Sequence, residues 1–432
     1  MLFCLPDTAV CLLPWNRLLW ILFRPSGIAT NLPDMTTTHT IPPDNTHQLA
    51  SLRRHWAGVI AVWGIVVILF YLYLRGSWPF AHRWLGITAV SLIWCGRIVW
   101  QNLSQNHPAD SPHLFPTFGL GTLLTLWRGL ALSMVAGFLL SPWPNGFPGW
   151  LPALLYASAG IADYLDGYVA RITHHTTVLG AQLDMEFDSL GMLAVILLAI
   201  WYGQLPWWYL GLGLARYLFL AGLWWRQRRG LPVYDLPPSA HRRMFAGFQM
   251  GFLSVVLWPI VPAAGATIAG TIFGLASATG FGRDWLVASG RIDVNSAVYR
   301  RRMHILSWLV RGWLPVLARL LLLLAAWMIW QSESHLHWMM LFAEWGWPMA
   351  AWWGTFWLVI GGVGITAVSL GLAGRIGALL LLFPVSWDIM AQGLLGANSL
   401  ALITDLYLLI MSTGFGSLWQ VEETFMTKRF GR

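Results

Sequence analysis

The chain is a succession of apolar runs, each long enough to cross a hydrocarbon layer, and that succession limits its fold more than any other feature. A spanning helix needs about 20 mostly apolar residues, and such runs lie near 56–74, 84–100, 120–140, 150–171, 183–203, 206–225, 244–261, 263–279, 313–330, 349–371, 376–391 and 399–415. Of the 432 residues, 57% are apolar and 10% charged, against about 25% charged in a soluble domain, so lipid is the expected solvent for most of the chain. Lipid offers the backbone no hydrogen bonds, so each segment must satisfy its own. The expected fold class is therefore all-α, a polytopic integral membrane protein of about 12 transmembrane helices in a lipid bilayer. Disorder, fibrous repeats and nucleic-acid binding are excluded by the same composition.

Charge orients the runs. The net charge is +8, and of 26 Lys and Arg residues only Lys428 is a lysine. Basic residues sort to cytoplasmic loops and to phosphate sites. With loop 172–182 in the cytoplasm, alternation also places there Arg226, Arg228, Arg229, Arg242, Arg243, Arg283, Arg291, Arg300, Arg301, Arg302, Lys428, Arg429 and Arg432. The opposite connections 141–149, 331–348 and 392–398 contain no Lys or Arg, and only Arg75 and Arg83 break the asymmetry. Cys4, Cys11 and Cys95 lack disulfide or metal-ligand spacing and read as inert.

Loop composition sets the expected boundaries: an N-terminal tail 1–55, two leading helices with a Pro-rich linker 56–119, a six-helix core 120–279, a basic cytoplasmic linker 280–312 and four final helices 313–432. The run 8–23 is interrupted by Pro14, Asn16 and Arg17, and Met35 opens a polar Thr/Pro/His stretch, so Met35 is the expected start of translation.

The chain has only 18 Asp and Glu, yet Asp163, Asp166, Asp184, Glu186 and Asp188 fall together at the ends of two apolar runs. Asp163, Asp166, Ala170 and Arg171 share one helical face, and Gly180, Asp184 and Asp188 form a stripe spaced by four on the next helix. The short turn 172–179 lets the stripes face each other. Four carboxylates brought together at a membrane boundary repel one another and are costly to desolvate, so a divalent cation is their natural partner. Hard oxygen ligands favour magnesium, manganese or calcium over zinc. Gly167 and Gly180 leave room for close backbone approach, Arg171 is placed to meet phosphate, and Glu186, off the stripe, reads as solvated or Arg-paired. His174 and His175, in the turn, read as loop residues rather than ligands.

The run Asp163-x-x-Asp166-Gly167-x-x-Ala170-Arg171, eight residues, then Gly180-x-x-x-Asp184-x-x-x-Asp188, resembles the signature of the CDP-alcohol phosphatidyltransferases without gap or substitution. TLLTLWRG (122–129) resembles the start of that family's first core helix, with Thr125 and Arg128 at matching positions, and the block 120–279 has the family's six helices. The resemblance implies transfer of a phosphatidyl or phospho-alcohol group from a CDP-alcohol, such as CDP-diacylglycerol, to an acceptor hydroxyl with release of CMP. It implies that Asp163, Asp166, Asp184 and Asp188 hold Mg2+ or Mn2+, that Asp188 is also the catalytic base, and that Gly167, Ala170, Arg171, Gly180, Thr125 and Arg128 receive the CDP moiety. A homodimer, and a site on the cytoplasmic face of a bacterial plasma membrane, follow from the same resemblance and the charge asymmetry.

The acceptor is read from arginines. Arg216 lies inside an apolar helix, where an unpaired guanidinium is costly. Its surroundings resemble the Ala-Arg-Glu element of the phosphatidylglycerophosphate synthases, with Tyr217 in place of the Glu, and SAHRRMFAGFQ (239–249) resembles the same group's basic entrance to the fifth helix, with Arg242 or Arg243 for its Lys. Arg216, Arg242 and Arg243 are therefore the candidate acceptor-binding residues, for a phosphorylated alcohol such as glycerol 3-phosphate or inositol phosphate. The alternatives are a serine or aminoalcohol acceptor, an intramembrane prenyltransferase, which lacks the Asp-Gly and Ala-Arg pairs, and an ion-coupled transporter. GLAGRIGALLLLF (371–383) and STGFGSLWQ (412–420) loosely resemble the four-helix DoxX-type membrane module, which implies an accessory role. Arg319, Asp388 and Asp405 are candidates for buried pairing, and the tryptophans, Trp352 and Trp353 among them, read as interfacial anchors.

Overall fold

The computed structural model describes residues 45–234, 236 and 240–419, and the side chains of residues 240–243 fall outside that description. Met35, Cys4, Cys11, Lys428, Arg429 and Arg432 lie outside the described residues, as do the side chains of Arg242 and Arg243. Among the described residues there are fourteen α-helices of ten or more residues and no strand. In chain order they are α1 (Asn45–Ser77), α2 (Ala81–Asn102), α3 (Leu120–Ala136), α4 (Leu151–Ile172), α5 (Val178–Trp201), α6 (Ala215–Arg228), α7 (Ala240–Val256) and α8 (Ala263–Ala288). There follow α9 (Ala297–Trp308), α10 (Leu314–Gln331), α11 (Ser334–Glu344), α12 (Ala350–Leu370), α13 (Gly374–Gln392) and α14 (Gly396–Met411).

The protein is an all-α, polytopic membrane protein. Among the described residues, five helical stretches are long and apolar enough to cross a bilayer: Asn45–Ser77, Ala263–Ala288, Ala297–Gln331, Ala350–Leu370 and Gly374–Gln392. Their surfaces suit lipid. On α1 alone Ile65, Leu69 and Leu72 are more than half exposed, which in water would be a large unpaired apolar stripe. Helix also occupies two segments where the sequence suggested connections. A π-turn at Leu309–Trp313 joins α9 to α10, so part of the basic segment 280–312 continues into a spanning helix. Ser296 caps α9 by accepting from the Tyr299 amide at 3.2 Å. The second is α11, in the arginine-free connection 331–348.

The described chain divides into two compact units. One runs to Tyr202 and includes Gly213–Leu231 and Leu253–Pro259; the other comprises Gly203–Leu212, Pro232–Phe252 and Ile260 onward. In the first unit α3 is the centre, with nearly every residue from Thr125 to Ala136 buried. Small residues let its neighbours approach: a Cβ on Gly121 would lie 2.7 Å from the Ala170 methyl and the Asp166 carbonyl oxygen, and one on Gly129 would lie 2.8 Å from the Phe187 ring. The Trp84 indole donates to the Met134 carbonyl at 3.0 Å, which anchors α2 on α3.

The second unit has its own core, in which Leu322, Val368, Leu381 and Leu406 come from α10, α12, α13 and α14 and Ala269 and Phe273 from α8. Its polar groups do not pair as the sequence suggested. Asp388 accepts from Trp338 at 3.2 Å, Gln392 at 2.9 Å and Asn398 at 3.0 Å. Arg319 instead donates to the carbonyls of Ser369 and Phe415, and Asp405 is fully buried. Trp353 packs edge-on against Trp347, which stacks on Phe342 beside the buried Trp387, so this tryptophan is part of a core rather than an interfacial anchor.

Packing of α12 on α13 depends on two glycines. A Cβ on Gly364 would lie 2.7 Å from Leu381, and one on Gly377 would lie 2.9 Å from the Ala367 methyl. Without an apolar solvent difference to drive them together, membrane helices rely on such close backbone contact. Gly364→Val is expected to destabilise the protein by about 1–3 kcal/mol, the usual cost of overpacking. Gly362→Val, two residues away where nothing lies within 4 Å of the added Cβ, should be near neutral in the same thermal unfolding measurement. Equal effects at both positions would contradict this packing.

Candidate active site

The site is assembled in the first unit from α3, α4 and α5. Thr177 starts α5 as its N-cap, accepting from the Gly180 amide at 3.0 Å, and this fixes where the Asp184 and Asp188 stripe begins. A side chain at 180 would crowd that cap: a Cβ there would lie 3.2 Å from the Thr177 hydroxyl and 3.5 Å from that of Thr122. On α4, Ala170 packs against Gly121, which brings the last turns of α4 against the start of α3.

Four aspartates converge on one guanidinium. Arg128, only 2% exposed, places Nη2 at 2.9 Å from Asp163 Oδ1, and Nη1 at 3.2 Å from Asp166 Oδ2 and 2.5 Å from Asp184 Oδ1. Nη2 also donates to Asp188 Oδ1. Thr125, one turn earlier on α3, donates to Asp166 Oδ2 at 3.0 Å and to the Gly121 carbonyl at 3.2 Å. Asp166 and Asp188 are the inner pair, their side chains 12% exposed, whereas Asp163 and Asp184 are more open. The sequence grouped Thr125 and Arg128 with the nucleotide contacts; in the structure both bind carboxylates. An arginine and a threonine three residues apart in an otherwise apolar helix, with no acid of their own nearby in sequence, were the signal for this pairing.

These residues fit a divalent cation. Carboxylate oxygens of Asp163, Asp166 and Asp184 lie within 4.8 Å of one another, the donors are all hard oxygen, and one guanidinium cannot balance four carboxylates. Asp188, expected among the ligands, lies outside that group and beside Arg128. Neither His174 nor His175 belongs to it; the His175 ring instead stacks on Phe115 with centroids 4.0 Å apart.

The remaining candidates surround the cluster. Arg171, on the exposed end of α4, lies along the bare backbone of Gly167, where a Cβ would sit 3.3 Å from its Nη1. Arg216 reaches from α6 to the Met185 carbonyl and the Ser189 hydroxyl on α5, next in sequence to Asp188. Glu186 is buried, not solvated, and feels the charge of Arg216.

The chain is similar to known proteins over the segment that holds these residues. Residues 118–283 match the family model described as CDP-alcohol phosphatidyltransferase. Over 113 residues the chain is 36% identical to a Mycobacterium tuberculosis protein provisionally named a cardiolipin synthase, a match that covers 25% of this chain and 52% of the relative. It is 30% identical over 112 residues to a CDP-diacylglycerol–glycerol-3-phosphate 3-phosphatidyltransferase of Cereibacter sphaeroides, covering 24% and 49% of the two chains. A protein of the same name from Pectobacterium atrosepticum is 34% identical over 93 residues, covering 21% and 48%. The chain thus spans about half the length of the curated relatives it matches. No solved structure matches it. The signature, the converging aspartates and the family match coincide on one segment, and residues 118–283 of this chain belong to the CDP-alcohol phosphatidyltransferase family.

Proposed function

We propose that this protein transfers a phosphatidyl group from CDP-diacylglycerol to an acceptor hydroxyl and releases CMP, as a metal-dependent step of phospholipid synthesis. The observation that carries this reading is the convergence of Asp163, Asp166, Asp184 and Asp188 on Arg128. Asp163, Asp166 and Asp184 would hold Mg2+ or Mn2+, which supplies charge to neutralise the pyrophosphate and the departing CMP. The acceptor oxygen attacks the lipid-bearing phosphorus, the bond from that phosphorus to the CMP phosphate oxygen breaks, and the hydroxyl proton passes to Asp188. Arg128 engages Asp188 through Oδ1, which leaves Oδ2 as the oxygen that takes the proton. Gly167, Ala170, Arg171 and Gly180 border the space for the CDP moiety, and Arg128 and Thr125 orient the carboxylates.

A phosphorylated acceptor such as glycerol 3-phosphate is supported by relatives named for that transfer and by Arg216, held against α5 beside Asp188. In this reading Arg242 and Arg243 add positive charge, the site opens on the cytoplasmic face, and the helices flanking 120–279 are accessory.

The test is CMP release by purified full-length protein with CDP-diacylglycerol, with glycerol 3-phosphate, inositol phosphate, phosphatidylglycerol or serine offered as acceptor. Chelation should abolish release, and Mg2+ or Mn2+ should restore it. Asp188→Asn is expected to lower kcat roughly 100- to 10,000-fold, the span of general-base catalysis. Metal-independent release, or an Asp188→Asn variant of normal kcat, would refute the mechanism.

Arg128 gives a separate prediction. Removing one partner of a buried ion pair costs about 3–5 kcal/mol, so Arg128→Met should unfold at lower temperature than the native chain. Added Mg2+ should recover part of that loss, because a cation among the four carboxylates substitutes for the missing charge. A variant whose unfolding temperature ignores Mg2+ would show that the cluster does not bind the metal.

A further inference from the structure

A second cavity lies in the first unit, outside the family segment. It measures about 600 Å³, is open on one side and is bordered by the start of α1 and the loop 108–116, all of it before residue 118, where the family match begins. Its lining is rich in donors. His47, Ser51 and Arg54 follow one another at i, i+4 and i+7 on one face of α1, and Ser111 and His113 face them from the loop. Among the described residues no carboxylate lines it. The Arg54 guanidinium and the two imidazoles make no hydrogen bond or ion pair with the described residues.

The walls are held in place by two buried asparagines. Asn45 Nδ2 donates to the Pro112 carbonyl at 3.0 Å, and its Oδ1 accepts from the Leu114 amide at 3.3 Å. Asn106, fully buried, donates to the carbonyls of Phe115 at 3.2 Å and Thr117 at 3.0 Å. These bonds fix the backbone of the walls, from which His47, Arg54 and His113 project as exposed side chains. The cavity adjoins the turn between the two carboxylate-bearing helices: Phe115 of its lining stacks on His175, in the turn between α4 and α5, and the Val178 amide at the start of α5 donates to the His107 carbonyl at 3.0 Å.

We propose that this cavity binds a phosphate group, presented by an anionic phospholipid headgroup or by a free phosphorylated solute. A guanidinium, two imidazoles and two hydroxyls around one space suit a tetrahedral oxyanion with several acceptor oxygens, and the volume admits more than a bare ion. The site is separate from the catalytic cluster, and its test compares variants at Arg54 and His113, which lie outside that cluster, so their effect is read apart from acceptor binding in the proposed reaction.

The experiment uses the purified full-length chain. Native mass spectrometry in phosphatidylglycerol against phosphatidylcholine counts retained lipid, and thermal unfolding is followed with inorganic phosphate and with glycerol 3-phosphate. The native chain is expected to bind the anion, and Arg54→Ala combined with His113→Ala should weaken binding at least about tenfold, the loss expected for a charge-assisted hydrogen bond. Arg53→Ala is the control, because Arg53 is exposed and sits over the Trp100 ring at 5.5 Å, outside the cavity. Loss confined to retained phosphatidylglycerol identifies a lipid headgroup, and loss confined to phosphate protection identifies a solute. A double variant that binds both as the native chain does, or an Arg53→Ala variant equally weakened, overturns the proposal.

Discussion

The site depends on one buried cation. Arg128 comes from α3, its four carboxylate partners come from α4 and α5, and none of the three helices can shift without breaking an ion pair. Neither side is stable alone in such a place. A guanidinium at 2% exposure is costly without counter-charge, and four clustered carboxylates repel each other without a cation. Paired, they still carry a surplus of negative charge, and that surplus makes a divalent cation the fitting partner.

Glycine gives the cation its depth. Were Gly121 or Gly129 any larger, α3 would have to withdraw from Asp166 and from Phe187, and Arg128 would withdraw with it. Gly180 does the same for α5, by admitting both the Thr177 cap and the Thr122 hydroxyl. The glycines at 167 and 180 read from the sequence as space for a ligand. The structure gives each a neighbour in the protein as well, Arg171 and Thr177 respectively, so their small size serves the framework before any substrate arrives.

The sequence made the helical class and the aspartate stripes legible because both follow from local periodicity: apolar runs of spanning length, and carboxylates spaced by three and four. It was silent on what depends on contacts between distant segments. That Arg128 would reach four carboxylates required knowing that α3 lies against both α4 and α5. That Asp388 would be satisfied by Trp338, Gln392 and Asn398, and Arg319 by backbone carbonyls, required the same knowledge of α10 to α14. The helices α9 and α11 were missed for a different reason. The three consecutive arginines of α9 and the serine and two histidines of α11 lower the average hydropathy, so composition marked these segments as connections although their backbone is helical.

Exposure within the cluster divides its labour. Asp166 and Asp188 are the inner pair; Asp166 is held by both Thr125 and Arg128, and a carboxylate held this way keeps its orientation. Asp163 and Asp184 are 24% and 42% exposed, so they can exchange a water or a cation without opening the core. A phosphoryl-transfer site needs both behaviours, because the proton acceptor must be aimed before the substrate arrives whereas the charge that receives a pyrophosphate must be reachable. In the proposed reaction Arg128 would give the first property to Asp188, and their greater exposure would give the second to Asp163 and Asp184.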